Sequence, residues 1–148
     1  MTTTTTTDAP AQTVQGFLDA LGRRDVGAAL ALTAEDAAVA VYPLGVKGTG
    51  HATLRPVLDG LAGAFPDLLI TVQRLITTGD VVTALVKVEG TQAAEYAGVV
   101  NQEKHLDLDE AWRFTVSGGV ITAIAAYWCQ QMLYRRLAVK RFDQVAIV

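Results

Sequence analysis

The hydrophobic pattern of this chain changes period once, and that change constrains its fold more than any other feature. Up to about residue 65 the apolar residues recur at three and four. Val14, Phe17, Leu18 and Leu21 make one helical face, and Leu54, Val57, Leu58, Leu61 and Phe65 make another. From Leu68 onward the period is two. Leu68, Ile70, Val72 and Ile76 share one strand face, and Val82, Ala84, Val86 and Val88 lie opposite Thr83, Lys87 and Glu89. Helices first and strands afterwards predict an α+β domain with its helices packed on an antiparallel sheet. At 148 residues the chain fits one domain.

Local chemistry marks the boundaries. Gly22 stops the first helix, and Asp25 caps a second over Val26 to Leu32 with its carboxylate. Val39, Val41 and Tyr42 suggest a short strand, broken by Pro43 and the glycines at 45, 48 and 50. Thr53 is the expected cap of the third helix, which would put Pro56 in the first turn, where a missing N–H is tolerated. Gly79-Asp80 and Gly118-Gly119 read as hairpin turns, and residues 92–104 as a loop. Strands are expected over His105 to Val116 and Val120 to Trp128, with a closing helix over Gln131 to Leu137. The run Thr2 to Thr7 offers nothing to bury, so residues 1–10 are predicted to be a disordered tail. Residues 11–138 form the domain and 139–148 an extension.

About half of the residues are hydrophobic, more than a plain core of this size needs. The excess is expected to surround an apolar ligand or to meet a second subunit. A net charge of −3 argues against nucleic acid as a partner. The N-terminal stretch lacks the basic and apolar segments of a secretory signal, and no run is long enough to span a membrane. The single cysteine, Cys129, cannot form an internal disulfide. A cytoplasmic location is the expectation.

Chemistry concentrates on the strand from His105 to Val116. Its odd positions are polar, and its even positions are Leu106, Leu108, Glu110, Trp112, Phe114 and Val116. Glu110 is the one carboxylate on an otherwise apolar face. If that face lines a pocket, desolvation raises its pKa and suits it to acid–base work. The plainer alternative is a glutamate paired with an arginine at an interface or at the sheet rim. Tyr42, Tyr127, Trp112 and Trp128 are aromatic wall candidates, joined by Phe114, Leu108, Phe17 and Cys129. For each of these alone, ordinary core packing is the simpler account. A two-residue hairpin loop would pair Glu110 with Tyr127, and one extra residue with Ala126. His51 and His105 lie far apart, and Asp107 and Asp109 read as a solvated edge. Arg135, Arg136, Lys140 and Arg141 read as a solvated basic face. No metal site and no cofactor are expected.

Several short stretches together resemble the SnoaL-like polyketide cyclases, within the superfamily of nuclear transport factor 2 and ketosteroid isomerase. They are Phe65-Pro66-Asp67, Thr78-Gly79-Asp80-Val81-Val82, Glu89-Gly90-Thr91, Phe114-Thr115-Val116 with Gly119-Val120-Ile121, and Tyr127-Trp128 leading into Leu133-Tyr134-Arg135-Arg136-Leu137. The resemblance covers about Val14 to Leu137. It implies a cone of about three helices on a strongly bent sheet, a deep cofactor-free pocket and a homodimer. It also implies aldol ring closure, ketosteroid isomerisation, epoxide opening or binding alone. These cyclases carry an acid–base aspartate near the end of the last strand. The matching stretch here is Ala125-Ala126-Tyr127-Trp128-Cys129, and their common histidine or polar residue on the preceding strand falls at Trp112.

The expected function is therefore a cyclase or isomerase acting on an apolar small molecule. Glu110 would be its acid or base and Tyr42 or Tyr127 a donor to a developing oxyanion. Epoxide opening would need a second carboxylate, for which Glu95 in the loop is the candidate. A non-catalytic binding or dimerisation module is the third reading.

Overall fold

The computed structural model describes residues 8–139. Residues 1–7 of the predicted tail, and Lys140 and Arg141 of the basic cluster, lie outside the described residues. Order starts earlier than the expected boundary. Asp8 caps helix α1 (Ala9–Gly22), its Oδ1 accepting the Ala11 N–H at 3.1 Å, and Pro10 sits in the first turn. Asp25 caps α2 (Val26–Ala31) in the same way, through the Ala28 N–H at 3.0 Å.

The next elements depart from expectation. Strand β1 (Thr33–Val41) starts well before Val39, and its exposed Glu35 and Asp36 conceal it in the sequence. A 3-10 turn over Tyr42–Leu44 leads to β2 (Val46–Thr49). Helix α3 (His51–Ala64) is capped by Gly50 and not by Thr53. Gly50 has φ +83°, and a Cβ there would come within 2.7 Å of the Glu35 carbonyl, so this corner requires glycine. Pro56 consequently lies inside the helix, beyond its first turn.

The rest is a run of strands: β3 (Leu69–Thr78), β4 (Val81–Thr91), β5 (His105–Ser117) and β6 (Val120–Trp128), then helix α4 (Gln130–Arg136). The six strands form one sheet in the order β2-β1-β6-β5-β4-β3. The fold is α+β as expected, but the sheet is mixed, because β1 runs parallel to β6 while every other pair is antiparallel. Bulges interrupt the register in β1 between Thr33 and Ala38, in β3 between Val72 and Arg74, and between β5 and β6 beside Thr115. Each adds local bend and twist. The bulge at Gln73 also reverses the pleat. Ile70 and Val72 face inward, then Leu75 does, and Ile76 is exposed instead of sharing their face.

Helix α1 packs across β3, β4, β5 and β6, α3 packs on β1 and β2, and α4 packs on β5. The core is a single cluster in which Phe17, Leu18 and Leu21 of α1 and Leu54, Leu58 and Leu61 of α3 meet the even-numbered residues of β4 and β5. Two of the short sequence stretches meet here. Phe65 closes over Gly90, where a Cβ would lie 2.9 Å from the Phe65 Cβ, and Asp67 Oδ1 accepts the Thr91 N–H at 2.8 Å. That backbone donor holds the Asp67 carboxyl below its ordinary pKa.

Candidate active site

Strict alternation along β5 turns Leu106, Leu108, Glu110, Trp112, Phe114 and Val116 inward, and all six are buried. Glu110, at 5 % exposure, is the only buried carboxylate among the described residues. Val86 of β4 lies opposite it on one side. On the other side stands Trp128, not Tyr127 or Ala126, because the bulge in β6 at Thr122 moves the register by one residue. Trp112 Nε1–H donates to Glu110 Oε1 at 2.9 Å from two residues along the same strand. Burial pushes the Glu110 carboxyl up to about 8, and the Trp112 hydrogen bond offsets only part of that rise. At neutral pH the group is mostly a carboxylic acid and can donate a hydrogen.

The aromatic surroundings are tightly packed. Phe17, wholly buried, meets Phe114 edge-on at 5.3 Å and Trp112 at 6.3 Å, and Trp112 stacks on Phe114 at 6.1 Å. Leu108 continues this surface one step along β5. Trp128 is half-buried, and its Nε1 donates to Gln130 Oε1 at 2.8 Å. Cys129 is an exposed free thiol at the start of α4, so it does not line the interior.

Tyr42 and Tyr127 are not brought to Glu110. Tyr127 pairs with Ala111, an odd-numbered residue, and therefore lies on the opposite face of the sheet. There it stacks on Tyr42 with ring centroids 4.9 Å apart, and the Arg113 guanidinium lies 5.8 Å from its ring. Both tyrosines are exposed, at 54 % for Tyr42 and 37 % for Tyr127. Tyr42 and Arg113 border a depression of about 210 Å³ lined also by Ala38, Ala40, Lys47 and Ala125. A second depression, of about 330 Å³, lies among Pro66, Asp67, Gln92, Asn101 and Glu103. Neither is lined by Glu110 or Trp112.

The remaining candidates sit apart. His51 Nε2 is 2.9 Å from the Thr33 carbonyl, and His105 is exposed with Nε2 4.0 Å from Glu89. Lys87 bridges Asp107 at 2.9 Å and Asp109 at 3.8 Å, which keeps the Asp107 carboxyl below its ordinary range. Glu95 is exposed and provides no second buried carboxylate.

The residue beside it was not anticipated. Tyr96, in the loop between β4 and β5, is 6 % exposed, and its ring packs edge-on against Phe65 at 5.2 Å. Burial, and then the charge of Glu110, push its phenol well above the ordinary value. A lone tyrosine in a segment without period gives no sign of facing inward. Val99, buried just after Gly98, marks the return of the loop to the core, while Val100 stays exposed.

This arrangement of helices and mixed sheet agrees with the comparisons with known proteins. The model of the SnoaL-like domain matches residues 14–124, and the chain belongs to that family. No curated protein matches the sequence. Solved structures share the fold at low identity. A candidate SnoaL-like polyketide cyclase from Jannaschia sp. CCS1 is 14 % identical, with a TM-score of 0.82 over 95 % of this chain and 99 % of its own. IdmH, a candidate polyketide cyclase from Streptomyces antibioticus, is 22 % identical, with a TM-score of 0.75 over 88 % and 99 %. A protein of ketosteroid isomerase-like fold from Catenulispora acidiphila, bound to trimethylamine, is 16 % identical, with a TM-score of 0.74 over 87 % and 94 %. Among the described residues no helix is long and apolar enough to cross a membrane.

Proposed function

We propose that this chain is an enzyme that promotes ring closure or isomerisation of an apolar, carbonyl-bearing small molecule, with Glu110 as its general acid. The observation that carries the reading is a carboxyl at 5 % exposure, held by a single indole donor on an apolar face, where burial raises its pKa. Membership of the SnoaL-like family and the cyclases among its structural neighbours support the same class of chemistry.

The Trp112 hydrogen bond engages Oε1 as an acceptor, so the acidic proton belongs on Oε2. In ring closure an enol carbon attacks a ketone of the same molecule. The Oε2 proton passes to the ketone oxygen as the carbon–carbon bond forms, and the enol hydroxyl proton returns to the carboxylate. The product is an isomer of the substrate. Packing the chain in a bent shape lowers the barrier further. Epoxide opening asks for a second buried carboxylate, and exposed Glu95 does not provide it. The reading includes a homodimer formed through the Tyr42 and Tyr127 face, to be checked by sedimentation.

The test uses 2-tetralone, an apolar enolisable ketone, followed by NMR for deuterium uptake from D2O. The native protein should accelerate exchange, and Glu110→Gln should lose about a hundredfold of it. Acceleration that survives in Glu110→Gln would refute the role of Glu110. Tight binding with no acceleration would identify a binding module instead.

A further inference from the structure

One buried side-chain oxygen in this fold has no partner. Gln92 opens the loop between β4 and β5 and is 1 % exposed. Its Nε2 gives one hydrogen to the Ala94 carbonyl at 3.1 Å and the other to the Val99 carbonyl at 3.0 Å. Spending both donors there fixes the amide and turns Oε1 away from those carbonyls. Among the described residues Oε1 has no hydrogen-bond partner. A buried acceptor in that state costs stability, and nearly all such atoms in folded proteins find a donor.

Gln92 is also a wall of the depression of about 330 Å³ at the base of the loop. Pro66 and Asp67 border it from the corner after α3, and Asn101 and Glu103 from the returning arm of the loop. These walls are fixed by contacts of their own. Asp67 Oδ1 accepts the Thr91 N–H at 2.8 Å, the Ala93 N–H reaches the Ala64 carbonyl at 2.8 Å, and Asn101 Oδ1 accepts the Glu103 N–H at 2.9 Å. Gln102 Nε2 ties the same arm to the Leu137 and Ala138 carbonyls, both at 3.1 Å. Among the described residues neither Asp67 nor Glu103 has an ion-pair partner. A carboxylate accepts several hydrogens, so the Thr91 contact leaves Asp67 with capacity to spare.

We propose that this depression binds a small primary amine as its ammonium, with the three N–H hydrogens going to Gln92 Oε1, Asp67 and Glu103. An ammonium carries three donors and no acceptor, which answers three acceptors of which two are charged. It supplies the donor that Gln92 lacks, and Pro66 and Ala93 give its carbon chain an apolar surface. Occupancy clips the returning arm of the loop to the corner after α3. Glu110 does not line this depression, so failure of its acid–base role would leave the amine site untouched.

Titration of the full chain with n-butylammonium chloride at constant ionic strength, followed by NMR, tests the site. The Gln92 side-chain amide signals and the carboxyl carbons of Asp67 and Glu103 should shift together along one saturable curve. Tetramethylammonium has the same charge and no N–H, and should leave the Gln92 signals unmoved. Glu103→Gln alters an exposed side chain and should weaken butylammonium binding about tenfold, the worth of one charge-assisted hydrogen bond, while the melting temperature holds. An equal response to both cations would reduce the effect to diffuse attraction and overturn the proposal. Carboxyl shifts without a Gln92 response, no saturable shift at all, or native affinity in Glu103→Gln would overturn it too.

Discussion

The indole of Trp112 donates to Oε1 of Glu110 at 2.9 Å, so the acid and the residue that orients it come from one strand, two positions apart. Such a pair needs no long-range docking to form. Any β-strand places these two side chains on one face.

Removing the donor tests the pairing. Trp112→Phe deletes the one contact that lowers the Glu110 pKa, so the carboxyl should titrate above about 8. It should also destabilise the fold by about 2 kcal/mol through the lost hydrogen bond and the smaller ring. Carbon-13 NMR of the labelled carboxyl reads the first effect and urea denaturation the second. A pKa that falls would contradict the assigned direction.

Stability should depend on pH through the same carboxyl. Its folded value of about 8 lies above the ordinary 4.5. Between these values the folded chain keeps a proton that the unfolded chain releases, so stability falls as pH rises through that window. Glu110→Gln removes the dependence. Its melting temperature should match that of the native protein near pH 4 and exceed it increasingly up to pH 8. Parallel curves would mean that Glu110 ionises freely in the fold.

The two faces of the sheet should separate in mutagenesis. Tyr42→Phe and Tyr127→Phe alter hydroxyls on the face opposite Glu110 and preserve the ring stack. Ketone exchange should be unaffected in both. A loss comparable to that of Glu110→Gln would place a tyrosine hydroxyl in the chemistry after all.

Gly90 should resist any side chain. Gly90→Ala sets a methyl 2.9 Å from the Phe65 Cβ, which must shift and take the Tyr96 ring with it. A destabilisation of about 1–3 kcal/mol is expected in urea denaturation, typical of an overpacked core.

The residues that could be read from the sequence are those whose pattern is local. Val82 to Val88 and Leu106 to Val116 alternate without interruption, so their buried faces, and Glu110 among them, were legible in advance. A bulge leaves no such mark. One additional residue at Gln73 turned Ile76 outward, and one at Thr122 set Trp128 rather than Tyr127 across from Glu110. Tyr127 shows a related effect: nearness along a hairpin does not reveal which face a residue occupies, and its pairing with Ala111 sets it opposite Glu110. Tyr96 was hidden because a glutamine side chain, not a repeating backbone pattern, shapes its loop. Thr53 lost its capping role to Gly50 because the turn there needs a backbone that only glycine adopts easily.

The parallel pairing of β1 with β6 has a consequence for how the molecule is made. Val41 lies beside Ala126, so the middle of the sheet joins parts of the chain from opposite ends of the domain. On the ribosome β1 can pair only with β2 until β6 has been synthesised and has left the exit tunnel. The nascent chain must therefore keep one edge of β1 open through most of translation. Contacts this distant in sequence slow folding and leave that edge available to other chains. A ribosome stalled before β6 should hold a protease-sensitive, chaperone-bound product, and release of β6 should convert it to the resistant fold.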